Sequence, residues 1–215
     1  MAIILDMDGV IIDSNPVHRT AWSIYNRRFG IETSEAMQER MYGRRNDEIV
    51  RDFLGSELTA EEVREHGAAK ERLYRELMAE TMPRSLVPGV REFLERYARS
   101  PLGVATNAEP ENVDFVLDGA GLRPFFQVIV DGRQVHNPKP DPEVFLRAAE
   151  LMEVAACDCI VFEDSLPGLK AARRAGMRTV GVKTTHAELS DADLAIDDFL
   201  SPELDEWLRL QIPRR

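Results

Sequence analysis

Short apolar runs recur along the chain at Ala2 to Leu5, Leu102 to Ala105, Gln127 to Val130, Cys159 to Phe162 and Thr179 to Val182. Runs of this length with few polar interruptions predict strands buried on both faces. Helical spacing of apolar residues separates the later runs, near Val90 to Ala98, Glu111 to Leu117, Pro142 to Met152 and Leu166 to Ala175. Strand and helix alternating in this order imply right-handed crossovers and a parallel sheet covered by helices. The fold class is therefore α/β, with a Rossmann-like parallel sheet core. Leu194 to Ile196 reads as a short last strand before a helix containing Trp207, and Pro213 to Arg215 are expected to fray.

The interval between the first strand and the helix at Val90 has no convincing strand and is longer than one crossover needs. It reads as an inserted α-helical cap domain. Asn15 is a candidate N-cap with Pro16 at the first helical position, followed by Val17, Ala21, Ile24 and Tyr25 at helical spacing. Asn46 offers a second cap, with Asp47 and Glu48 placed to favour the positive end of the helix dipole and Ile49, Val50 and Phe53 forming an apolar face. A charged third helix is predicted from Thr59 to Met78, with Val63, Tyr74 and Leu77 buried. The expected organisation is a catalytic core of residues 1–14 and 84–215 and a cap of residues 15–83, hinged near Asp13 to Asn15 and Met82 to Pro88.

Composition narrows the functional class. With 215 residues, 44% of them hydrophobic, the chain can bury a sizeable core. A formal net charge of -11 argues against a nucleic-acid partner, which would be repelled by the whole-molecule field. No apolar run approaches the roughly 20 residues of a membrane helix and no secretory leader is visible, so the expectation is a cytoplasmic protein without a membrane partner. Cys157 and Cys159 are too close for an ordinary disulfide and lack companion metal ligands, which leaves them as reduced structural thiols. Oligomeric state is not legible, and a monomer is the working expectation.

The chemistry-bearing residues sit at the ends of the predicted strands, where ligands bind in open α/β sheets. Asp6 and Asp8 are two apart, so an extended backbone turns both carboxylates to one side, with Gly9 following. Such a pair repels itself unless a cation intervenes or one carboxylate takes up a proton. Thr106 and Asn107 offer a hydroxyl and backbone amides to a phosphoryl oxygen. Lys139, bracketed by Pro138 and Pro140, can be aimed at an anion. Glu163 and Asp164 add hard oxygen ligands suited to Mg²⁺. Each feature alone has a bland reading as a turn, a helix cap or a solvated lysine. Their joint occurrence at four strand ends does not.

Asp6-Met7-Asp8-Gly9-Val10, Thr106-Asn107, Lys139 and Glu163-Asp164-Ser165 resemble the four ordered motifs of the haloacid dehalogenase superfamily, over nearly the whole chain. The helical insert is similar to the cap of the subfamily that contains β-phosphoglucomutase and sugar-phosphate phosphatases. The resemblance implies Asp6 as nucleophile forming an aspartyl-phosphate, and Asp8 as general acid and then base. It further implies Mg²⁺ held by Asp6, the Asp8 backbone carbonyl, Asp164 and Glu163, with Gly9, Thr106, Asn107 and Lys139 around the phosphoryl oxygens. The presence of Asp8 speaks against carbon–halogen cleavage.

The expected activity is Mg²⁺-dependent hydrolysis of a small phosphorylated metabolite, with a β-phosphoglucomutase-type phosphomutase as the alternative and a non-catalytic phosphate-binding module as a third class. His18 and Trp22, four apart on the first cap helix, match the corresponding pair in β-phosphoglucomutase-like caps. Gly43-Arg44-Arg45-Asn46 is the candidate specificity loop. The mutase has a serine and then an arginine after a valine there, a departure that favours hydrolysis. Arg45→Ala is expected to alter substrate preference more than phosphoryl-transfer chemistry. A cis Lys139–Pro140 bond is expected from the need to aim Lys139.

Overall fold

A computed structural model describes residues 1–211; Pro213 to Arg215, expected to fray, lie outside the described residues. Six strands, β1 (Ala2–Leu5), β2 (Leu102–Ala105), β3 (Val128–Val130), β4 (Cys159–Glu163), β5 (Arg178–Val182) and β6 (Leu194–Ile196), form one parallel sheet in the order β3-β2-β1-β4-β5-β6. The order reverses direction at β1, which pairs with β2 on one side and β4 on the other. Asp6 therefore leaves the sheet at a switch point, where the diverging crossovers leave a crevice.

The alternation within each strand explains the double-sided core. Ile3 and Leu5 of β1 and Ile160 and Phe162 of β4 pack into one apolar cluster with Val180, Phe93 and Phe199. Ala2, Ile4, Cys159 and Val161 point the other way, into a cluster with Phe145, Ala148 and Ala172. The core helices covering these faces are α6 (Val90–Arg96), α7 (Pro110–Gly119), α8 (Glu143–Leu151), α9 (Leu166–Arg174) and α10 (Pro202–Gln211).

Between β1 and α6 the chain forms α1 (Asn15–Arg27), α2 (Glu35–Met41), α3 (Asn46–Leu54), α4 (Ala60–Ala79) and α5 (Met82–Ser85). Their own cluster is built from Trp22, Tyr25, Met41, Ile49, Val50, Phe53 and Val63. The chain enters and leaves this region side by side: Asp13 N–H donates to the Ser85 carbonyl (2.7 Å) and Val87 N–H to that of Ile11 (3.1 Å).

Two expected caps differ from the structure by one residue. Ser14, not Asn15, holds the cap position of α1, and Arg45, not Asn46, that of α3. In both cases the asparagine is the first helical residue, and its amide is engaged elsewhere: Asn15 with Asp164 and Thr185, Asn46 with Glu71. The expected third helix, α4, begins at Ala60, with Thr59 as its cap, accepting from Glu62 N–H while Glu62 accepts from Thr59 N–H. On α4 Met78, rather than Leu77, is fully buried beside Val63 and Tyr74.

Candidate active site

Asp6, Thr106, Lys139, Glu163 and Asp164 converge beyond the carboxyl ends of the strands, all buried. Lys139 Nζ donates to Asp6 Oδ1 (2.7 Å), Glu163 Oε1 (2.7 Å) and the Ala105 carbonyl (3.1 Å), and lies 4.7 Å from the centre of the Phe145 ring. The Lys139–Pro140 peptide bond is cis. Burial alone would discharge this ammonium, but Asp6 and Glu163 outweigh it and keep the lysine charged.

Glu163 is fixed at both oxygens, since Oε2 accepts from the N–H (2.8 Å) and Oγ (2.9 Å) of Ser165. Ser165 in turn caps α9, accepting from Gly168 N–H at 3.2 Å. A side chain at Gly168 would strike the Glu163 carboxylate. Gly9, at φ +77°, plays the same part for Asp164: any Cβ there would meet the Asp164 carboxylate, in a backbone region that disfavours other residues. Asp164 accepts from Asn15 Nδ2 (3.1 Å) and from the Thr185 hydroxyl.

Three buried carboxylates, Asp6, Glu163 and Asp164, bring oxygens within 4.8 Å of one another. One ammonium balances only part of that charge. Burial, opposed by Lys139 and reinforced by Glu163 and Asp8, lifts Asp6 to about 7; burial and its two acidic neighbours push Asp164 well above the usual range. A site short of positive charge, lined by hard oxygen donors, fits a divalent cation such as Mg²⁺.

Asp8 has a different setting. Its Oδ1 accepts from Ser14 Oγ (2.6 Å) and lies 3.4 Å from His18 Nε2. Burial opposes its ionisation, yet the hydrogen bonds from His18 and Ser14 prevail and hold it below the ordinary value. Lys70 Nζ sits 2.7 Å from His18 Nδ1. An ammonium has no lone pair to offer, so Nδ1 accepts and the ring proton stands on Nε2, facing Asp8. The imidazole is clamped flat on Tyr74, with centroids 3.8 Å apart and planes 6° from parallel.

Asp6, Asp8, His18, Trp22, Arg44, Asn46, Thr106, Asn107, Lys139 and Asp164 all line one cavity between the sheet and the inserted helices. Glu163 lies just behind it, and Asn107 ties the two sides together by donating from Nδ2 to the Gly43 carbonyl (2.8 Å). Arg45 is placed otherwise than expected: its guanidinium turns away from the cavity to the carbonyls of Gly132, Val135 and His136. Arg44 borders the cavity, but its guanidinium is held by Asp52 (3.1 Å) and Glu48 (3.8 Å).

Ser14, Asn15, Lys70, Glu71, Glu109, Asn112 and Thr185 also belong to the site, though none stands in a sequence motif. For Lys70 a signal was present. Val63, Gly67, Lys70, Tyr74 and Met78 form one buried stripe of α4 at helical spacing, and a lysine within such a stripe has a specific partner more often than not.

Residues 1–176 match the description of the haloacid dehalogenase-like hydrolases. The β-phosphoglucomutase of Bacillus subtilis is 31% identical over 220 residues, spanning 98% of this chain and 97% of that protein. The fructose-1-phosphate phosphatase YqaB of Escherichia coli is 32% identical over 184 residues, spanning 84% and 95%. Among solved structures, the β-phosphoglucomutase of Clostridium difficile superposes with a TM-score of 0.88 at 27% identity, covering 98% of this chain and 96% of that one. Strand-end motifs, sheet order and relatives agree, and the chain belongs to the haloacid dehalogenase-like hydrolase family.

Proposed function

We propose that the chain is a Mg²⁺-dependent phosphatase that hydrolyses the phosphate ester of a small metabolite through an aspartyl-phosphate on Asp6. The observation that carries this reading is the pairing of Asp6, held by Lys139 above a carboxylate cluster, with Asp8 held by Ser14 and His18 on the same cavity. One carboxylate is set up to attack and the other to handle a proton.

In this reading an Asp6 carboxylate oxygen attacks phosphorus and the ester oxygen leaves, taking a proton from Asp8. Asp8, now a base, removes a proton from the water that attacks the phosphoenzyme, and phosphate is released with Asp6 restored. His18, presenting its Nε2 proton to the Asp8 carboxylate, favours the base role, and the acid step draws on the protonated form of Asp8. The Thr106 hydroxyl, the Asn107 backbone amide and the Lys139 ammonium stand around the phosphoryl oxygens, where positioning and charge do most of the catalysis; the Gly9 N–H, expected among them, is spent on the Ile12 carbonyl at 2.7 Å. Asp6, Glu163, Asp164 and the Asp8 carbonyl would hold Mg²⁺, which when bound neutralises the phosphate anion facing a carboxylate nucleophile. Residues 15–83 act as the cap and residues 1–14 and 84–215 as the core. The apolar cluster around Trp22 supports this division.

The similarity to β-phosphoglucomutase supports a second reading, phosphomutase, in which a sugar hydroxyl takes the place of water. Scoring free phosphate and isomerised sugar phosphate separately, over esters that include β-glucose 1-phosphate, tests the choice. Phosphate release that requires Mg²⁺ is the expected result; isomerisation without matching release would replace hydrolysis by the mutase reading.

A further inference from the structure

The cavity end remote from Asp6 is walled by Trp22, Asn46, Ile49, Glu71, Glu109 and Asn112. Glu71, only 3% exposed, is the hub of this wall. Its Oε1 accepts from Asn46 Nδ2 (2.6 Å) and Lys70 Nζ (2.9 Å), and its Oε2 from Asn112 Nδ2 (2.7 Å). These bonds decide what remains for a ligand. With the Asn46 amide nitrogen spent on Glu71 and, at 3.4 Å, on Glu109, its carbonyl oxygen is left to accept. Asn112 Oδ1 is taken by Arg75 at 2.7 Å.

The cations here are equally committed: Lys70 to Glu71 and His18, Arg44 to Asp52 and Glu48, Arg133 to Glu109 (3.3 Å) and Glu111 (2.8 Å), and Arg75 to Asn112. Among the described residues lining this end, acceptors therefore outnumber donors and no cation is left over for an anion. Acceptors suit hydroxyl groups; a phosphate dianion placed among them would meet two carboxylates without a free counter-charge.

Resting on the phosphatase reading, we propose that Glu71 is a specificity-determining residue that commits the far end of the cavity to an uncharged, hydroxylated group. The substrate is then a polyol or sugar monophosphate, and the same skeleton bearing a second phosphate is discriminated against. This also disfavours mutase turnover. Moving the phosphoryl group from Asp6 to a hydroxyl of a sugar monophosphate, with the hydroxyl proton passing to Asp8, creates a bisphosphate whose other phosphate would have to occupy this end.

The test compares kcat/KM for phosphate release from matched hexose and pentose monophosphates and bisphosphates, with acetyl phosphate as a probe too small to reach the far wall. Wild type and Glu71→Gln are assayed with Mg²⁺, and circular dichroism reports folding. The wild type should favour monophosphates by about tenfold or more, roughly 1.4 kcal/mol. Glu71→Gln, which frees Lys70 while keeping the side-chain shape, should narrow that ratio by about tenfold, general losses cancelling in the ratio.

Turnover by the wild type without preference for monophosphates overturns the proposal alone, whether or not the variant folds. An unchanged ratio in a folded variant removes Glu71 from the role. Silence on every ester and on acetyl phosphate overturns the phosphatase reading and this proposal with it.

Discussion

Lys139 is the residue on which the buried charges depend. Removing it as Lys139→Ala leaves Asp6 and Glu163 facing each other without their ammonium, a change that typically costs about 3–5 kcal/mol for a buried pair. Urea unfolding of the metal-free protein should show a loss of that order, and a loss under about 1 kcal/mol would mean that the pair does not hold the site together. Glu71 gives a pH-dependent counterpart. Burial opposes its charge, but Lys70 and Asn112 prevail and hold it at about 2 against an ordinary 4.5. A folded-state value below the unfolded one gives stability that is present above pH 4.5 and is lost as pH falls towards 2. The stability difference between wild type and Glu71→Gln should therefore shrink across that window; a constant difference would contradict an ionised, paired Glu71. The acid, lysine and threonine positions of the motifs were legible because the strand ends gather them. Glu71 was not, since on a charged helix it reads as a solvated residue until α7 is packed against it, and Lys70 showed only as a lysine within the buried stripe of α4.

At the scale of elements, β1, β2 and β6 match their apolar runs, while β4 and β5 extend theirs by one residue and β3 starts one later. Buried strands leave a plain trace because both faces exclude polar residues. Helix starts were displaced where a polar side chain serves the site, as at Asn15 and Asn46, and α2, short and mostly polar, had no apolar stripe to betray it. The junction of β4 with α9 tests how far local fit determines chemistry. Gly168→Ala would push a methyl group into the Glu163 carboxylate, which Ser165 and Lys139 hold in place. We expect a destabilisation of about 2 kcal/mol in urea together with loss of turnover, as for an overpacked buried site. Retained stability and activity would show that Glu163 can move aside freely.

At the scale of the whole molecule, the insertion was evident from a long interval without strands, but its contacts with the core are long-range and had no local signature. Arg45 illustrates the difference. Its place in the loop suggested substrate contact, whereas its guanidinium reaches across to the carbonyls of Gly132, Val135 and His136. Arg45→Ala should therefore weaken turnover of large and small phosphate esters to a similar degree, within about threefold of each other, by loosening the inserted helices over the site. A selective change confined to one substrate class would return Arg45 to the specificity role.

The central claim is covalent transfer of the phosphoryl group to Asp6, and trapping tests it most directly. The enzyme is mixed with Mg²⁺ and a phosphate ester that it turns over, quenched, and reduced with borohydride, which converts an aspartyl-phosphate to homoserine; peptide mass spectrometry then locates the change. Homoserine at position 6 in the wild type, absent without substrate and in Asp6→Asn, is the predicted result. Turnover with no reduction at position 6, or with reduction at another carboxylate, would contradict it.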